Sequence, residues 1–191
     1  MVSKFFMSSF LSTLTLGIFL TFSGQSAWAD QNDPRLSALF DKLKNAKSAA
    51  IANTFEDKIW QIWLEHSDKR TQEVTLIGIS FMNSGQFDLA ELAFTEAIDK
   101  NPNFAEAWNK RATLRYLVGD LEGSVADCAN VLNLEPRHYG AMAGLGMISA
   151  ARSNWKRAIE WYQRALTIHP NFTGAKIGLE QSIANLNAER I

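Results

Sequence analysis

Three stretches decide the reading: Lys100-Asn101-Pro102-Asn103-Phe104, Leu134-Glu135-Pro136-Arg137-His138 and Ile168-His169-Pro170-Asn171-Phe172. Their prolines are 34 residues apart each time. Dividing the chain into units 71–104, 105–138 and 139–172 brings other positions into phase. The fourth position reads Val74, Trp108, Met142, and the eighth Gly78, Ala112, Gly146. The twentieth reads Ala90, Ser124, Ala158, the twenty-fourth Phe94, Cys128, Tyr162, and the twenty-seventh Ala97, Val131, Ala165. Small residues recur where two helices must approach, and large ones recur where holes must be filled. A period of this length is the mark of a repeat array.

These positions resemble the tetratricopeptide pattern W-x2-L-G-x2-Y…A-x3-F…P. The middle unit departs from it, with Arg111, Arg115 and Cys128 in place of the usual Leu, Tyr and Phe. The resemblance implies an all-α fold, a right-handed superhelical solenoid of antiparallel helix pairs. Helices are predicted at about 71–84, 87–100, 105–118, 121–134, 139–152 and 155–168. Gly85 and Gly119 stand where a first helix must stop in the left-handed conformation, with Ser153-Asn154 serving in the third unit and Asn as the tolerable substitute. Each proline begins a connection, because it lacks the N–H of a continuing helix.

Outside the array, Asp33-Pro34 signals a helix start. Leu36, Leu39, Phe40 and Leu43 follow at helical spacing, then Phe55, Ile59, Ile62 and Trp63. Residues 30–70 are therefore expected to form a helical pair, a degenerate repeat or a cap at the start of the solenoid. Residues 173–191, with Ile177, Leu179, Ile183 and Leu186, are expected to supply the capping helix at the other end.

The first 29 residues have another logic. Lys4 is the only charge before Asp30, Phe5 to Phe22 is apolar, and Ala27-Trp28-Ala29 closes the segment. That layout is a secretory signal peptide cleaved after Ala29, which places the mature chain in the bacterial periplasm. The alternative is a retained membrane anchor, since the apolar run approaches spanning length. Removing residues 1–29 leaves 18 basic against 20 acidic side chains, too balanced for a global field that recruits nucleic acid. Cys128 is the only cysteine, so no intramolecular disulfide supports the fold.

No catalytic pattern stands out. His66, His138 and His169 have no ligand partner at helical metal spacing, and the last two fall in connections where solvated side chains are expected. Cys128 sits at an aromatic core position, which points to a buried, inert thiol. Gly144-Leu145-Gly146 lies mid-helix, and carboxylate pairs such as Glu56 with Asp57 or Glu91 with Glu96 are not specific. Arg111 and Asp127 are expected to form a partly buried ion pair within one hairpin. No cofactor or metal is expected.

The resemblance further implies that first helices line a concave face where a protein or peptide binds. The candidate partner-binding residues are Thr75, Ile79, Met82 and Asn83, then Asn109, Thr113, Tyr116 and Leu117, then Ala143 and Met147. Some family members grip a C-terminal carboxylate with Lys, Asn and Arg side chains. The matching positions here are Thr75, Ile79, Lys110, Gly140 and Gly144, so that clamp is missing and an apolar peptide or amphipathic helix is favoured. The expectation is a non-enzymatic scaffold, adaptor or assembly factor. The alternatives are a membrane-anchored subunit of an envelope or secretion complex, and a periplasmic enzyme or metal carrier. Partner, pathway and oligomeric state are left open.

Overall fold

A computed structural model describes residues 30–189, and the expected signal segment with its cleavage site lies outside them. Every described element is a helix: α1 Arg35–Lys44, α2 Ala49–Leu64, α3 Lys69–Asn83, α4 Phe87–Lys100, α5 Ala105–Leu117, α6 Leu121–Leu134, α7 Tyr139–Ala151, α8 Trp155–Ile168 and α9 Thr173–Ala188. The six array helices fall where the 34-residue period puts them, except that α3 begins two residues early. The cause is Asp68, whose carboxylate accepts the N–H groups of Arg70 and Thr71 and so caps the helix ahead of the unit boundary.

The hairpin turns follow from backbone chemistry. Gly85 and Gly119 adopt φ of 74° and 85°, a region glycine enters without a Cβ penalty. In the third hairpin Ser153, not Asn154, takes the left-handed conformation at φ 55°. Asn154 instead caps α8, its Oδ1 accepting the Arg157 N–H at 3.2 Å. The expectation that Asn would carry the turn is thus corrected: its side chain is worth more at the next helix start.

Within each hairpin a small residue receives a ring. A Cβ on Gly78 would lie 2.6 Å from the Phe94 ring, and one on Gly146 would lie 2.7 Å from Tyr162. In the middle hairpin Ala112 packs against Cys128, so a larger first-helix residue is offset by a smaller second-helix one. The Ser124 hydroxyl donates to the Ala112 carbonyl at 2.7 Å across the same seam. Helix α9 closes the far end by packing on α8 and α7.

The N-terminal pair is where sequence expectation and structure differ. Helices α1 and α2 do not stack on α3 and α4 as a cap. They lie across the loop end of the array, in one core with Tyr139, Met142, Ala158, Tyr162 and Ala175 from the third hairpin and α9. Hydrogen bonds tie the segment to distant parts of the array: Gln31 donates to the Asn103 carbonyl at 2.6 Å and accepts from the Ala105 N–H at 3.3 Å, and Asn171 donates to the Ala46 carbonyl at 2.9 Å. The reason is apolar area. Trp60 and Trp63 of α2 find His138 and Tyr139 there, with Trp63 stacked on His138 at 4.1 Å between centroids. As a consequence the outer edge of the first hairpin stays open, with Ile77 at 46% and Leu92 at 67% exposure.

His138 and His169 are therefore not solvated loop residues. Both are fully buried, against Trp63 and against Tyr139 and Phe172 respectively.

Candidate functional site

The concave face is built by α5 and α7, with α2 laid across its loop end. Where α2 crosses, Glu106 is buried and meets Lys110 at 2.8 Å, His138 at 3.2 Å and the Asn109 amide at 3.2 Å. The Nδ1 atom of His138 accepts the Ala141 N–H at 3.1 Å, so Nε2 carries the proton and donates to Glu106. Burial alone would raise the Glu106 carboxyl, but Lys110 and His138 outweigh it and hold it below the ordinary carboxylate range. A second bridge repeats the device: His169 meets Glu56 of α2 at 3.2 Å. These groups are tied into the docking of α2 and serve structure.

The sequence reading missed this cluster. Its signal was present: position thirty-four carries a ring in every unit (Phe104, His138, Phe172), and α2 presents Trp60 and Trp63 at its end. Nothing in the period says that these two sets of rings meet.

The Arg111–Asp127 pair is as expected, and stronger. Arg111 donates twice to Asp127 at 2.9 Å and once to Thr95 of α4 at 3.0 Å. Arg115 joins Asp127 at 3.0 Å and Glu91 at 2.6 Å. The two arginines that depart from the repeat pattern thus bind three helices together. Cys128 is buried, and burial with the neighbouring Asp127 charge pushes its thiol up to about 12, which makes it no nucleophile at neutral pH. Among the described residues no group of three or more His, Cys, Asp and Glu side chains could hold a metal ion.

Beyond α2 the concave face opens into a cavity of about 170 Å³ lined by Asn109, Thr113, Tyr116, Ala143 and Met147, with Ala112, Ser124, Cys128, Gly140, Ala141, Gly144 and Phe172 completing it. Five of the ten candidate residues meet there. The other five do not. Thr75 is buried and its hydroxyl bonds back to the Thr71 carbonyl at 2.9 Å. Ile79 and Met82 are half-buried and pack against Ala90 and Phe94 of α4 and Leu114 of α5. Asn83 ends α3, and Leu117 is exposed at the end of α5. Both stand outside the cavity. Thr75 is tied back to its own helix, and Ile79 and Met82 are half-buried against α4 and against Leu114 of α5, so the first unit gives no side chain to the cavity lining. No described helix is long and apolar enough to cross a membrane.

Comparison with known proteins agrees with this architecture. The family model described as tetratricopeptide repeat matches residues 75–132 and 119–171. A TPR repeat-containing protein of Rhizobium etli is 31% identical over 147 residues, covering 71% of this chain and 67% of that one. Small glutamine-rich tetratricopeptide repeat-containing protein 2 of Mycosarcoma maydis is 23% identical over 119 residues, and the chain spans only 34% of its length. Among solved structures, the first TPR of Spaghetti (RPAP3) bound to the HSP90 peptide SRMEEVD superposes with a TM-score of 0.61 at 20% identity, covering 63% of this chain and 96% of that one. With the 34-residue period, the paired helices and these matches together, the chain belongs to the tetratricopeptide repeat family.

Proposed function

We propose that this protein is a non-enzymatic interaction module, a scaffold, adaptor or assembly factor that holds a peptide or helix of another protein in its concave groove. The observation that carries the reading is the open apolar cavity between α5 and α7, on the face that α2 leaves uncovered. The family supports it, as does the HSP90 peptide bound to the first TPR of Spaghetti. The charged clamp positions are Thr75, Ile79, Lys110, Gly140 and Gly144, so the ligand is an apolar segment and not an acidic tail. Export to the periplasm after cleavage at Ala29 is part of the same proposal, supported by the apolar run and the Ala27-Trp28-Ala29 site. N-terminal sequencing of the protein recovered from its host should give Asp30. A chain still starting at Met1 in the membrane fraction would favour the anchored subunit instead.

Binding is tested by a photo-crosslinking residue at Met147, which is 44% exposed and lines the cavity. Crosslinks formed in the host should disappear in the Tyr116→Glu variant while its melting temperature stays near the parent value. A carboxylate there would have to be desolvated without a partner when an apolar ligand binds. Crosslinks that persist unchanged would move the binding surface off this face.

A further inference from the structure

Two positions of each first helix face the unit before it. In the second unit they are the seventh and eleventh, Arg111 and Arg115, which reach back to α4 at Thr95 (3.0 Å) and Glu91 (2.6 Å). In the third unit the seventh position is Leu145, clustered with Cys128 and Val131 of α6. In the first unit the same positions are Ile77 and Phe81, and the helices that precede them, α1 and α2, are docked elsewhere. Ile77 is left 46% exposed. The second helix beside it also departs from the other units. Its nineteenth and twenty-second positions are Leu89 and Leu92, where the second unit has Gly123 and Ala126 and the third has Arg157 and Glu160. Leu89 is 43% exposed and Leu92 67%. Together these four apolar side chains line one shallow groove along the free edge of the array, an edge that a solenoid covers with a polar-faced cap.

We infer that this edge pairs with the same edge of a second copy of the chain, about a two-fold axis that runs parallel to α3 and α4 and midway between them. Such an axis preserves helix direction, so α3 of one copy meets the antiparallel α4 of the other. Within the array α5 already packs on α4 in that sense. Each copy thus supplies the second helix that the other's first unit lacks, with Ile77 against Leu92 and Phe81 against Leu89. The charges select this occupant. Arg70 and Glu96 stand at one end of the edge, 3.4 Å apart and both exposed. The two-fold lays each Arg70 over the Glu96 of the other copy, so a rim that carries both signs is complementary to itself. The area sets the strength. Helices of 15 and 14 residues side by side present a face of roughly 20 Å by 20 Å. Two such faces come to roughly 800 Å², just under the ~1,000 Å² of a firmly specific interface, which makes the dimer weak and reversible. The edge shares no residue with the cavity, so the inference stands apart from the groove reading.

The test is sedimentation equilibrium of the protein as its host processes it, from micromolar to millimolar concentration. The mean mass should rise reversibly from one chain toward two. Leu92→Glu should weaken pairing by more than about a hundredfold, because each copy would bury a carboxylate without a partner. The melting temperature of the dilute variant should hold, since this side chain is exposed in the single chain. Arg70→Glu and Glu96→Arg should each weaken pairing roughly tenfold, by setting like charges face to face at two places. Mixed together, these two charge variants should pair as well as the parent, because every charge then meets its opposite. A single mass at all concentrations, a dimer indifferent to Leu92→Glu, or a mixture of the charge variants that stays monomeric would each overturn the inference. So would a photo-crosslinking residue at Leu89 that captures another protein, or residues 1–29 of its own chain, in place of a second copy.

Discussion

The middle hairpin and the two that flank it solve one packing problem with different chemistry. In the flanking hairpins a glycine accepts a ring, Gly78 under Phe94 and Gly146 under Tyr162, and the seam is apolar. In the middle one Ala112 meets Cys128, and the lost aromatic volume is accompanied by a charged network of Arg111, Arg115, Asp127 and Glu91 that bridges α4, α5 and α6. A ring packs without regard to what happens next door. The network holds only while every charge keeps its partner, so the middle hairpin is fixed more sharply and tolerates substitution less.

The largest expected effect breaks that network. Asp127→Ala leaves Arg111 buried against nothing of opposite sign and should cost about 3–5 kcal/mol, read from denaturant melts. A loss under about 1 kcal/mol would mean that solvent relaxes into the site and that the two seams are equivalent after all. Next come Gly78→Leu and Gly146→Leu, which push a side chain into Phe94 and Tyr162 and should cost about 1–3 kcal/mol each by overpacking, again read from melts. Converting the middle seam to the flanking kind sharpens the comparison. Cys128→Phe alone should destabilise, and adding Ala112→Gly should recover part of the loss, with a coupling of about 0.5–3 kcal/mol in a double-mutant cycle. Additive effects would show that the two positions do not share space.

A smaller effect lies at the turns. Ser153 takes the left-handed conformation that Gly85 and Gly119 hold freely, so Ser153→Gly should stabilise by about 0.5–1 kcal/mol, measured by thermal melts. The smallest effect concerns the dock of α2. The hydrogen bond from His169 holds the Glu56 carboxyl below its ordinary value of 4.5. A depressed carboxyl contributes stability above its unfolded value and loses it as pH falls through the folded one. Glu56→Gln should therefore be less stable than the parent near neutral pH, and denaturant melts should show that difference shrinking as pH falls below about 4.5, which gives the variant the shallower acid dependence.

The sequence was a good guide wherever the physics is local or periodic. The 34-residue spacing placed six helices, and the recurrence of Gly78, Ala112 and Gly146 against Phe94, Cys128 and Tyr162 identified the seams from phase alone. The Arg111–Asp127 pair followed from facing positions in one hairpin. The candidate site was half legible. Asn109, Thr113, Tyr116, Ala143 and Met147 line the cavity, whereas Ile79 and Met82 are half-buried between the first hairpin and Leu114 of α5. Position in the unit gives a helix face, and the neighbour that packs against it, here Leu114 of α5 beside Ile79 and Met82, comes from the stack and not from the period.

What the sequence determined by itself was the array: a period, small and large residues in phase, glycines at stops, and helix caps within a few residues of the groups they satisfy. What only the tertiary structure decided was the position of α1 and α2. Their amphipathic pattern requires an apolar surface and says nothing about which one. Two such surfaces existed, the open edge of Ile77 and Leu92 and the loop end carrying His138, Tyr139 and Phe172. The second offered stacked rings, the bridge from Glu56 to His169 and backbone partners for Gln31 and Asn171. That choice buries two histidines that a linear reading leaves in solvent, closes one end of the concave face over Gly140, and leaves the other open over Gly144. It rests on contacts between residues 72 to 125 positions apart, which no local pattern encodes.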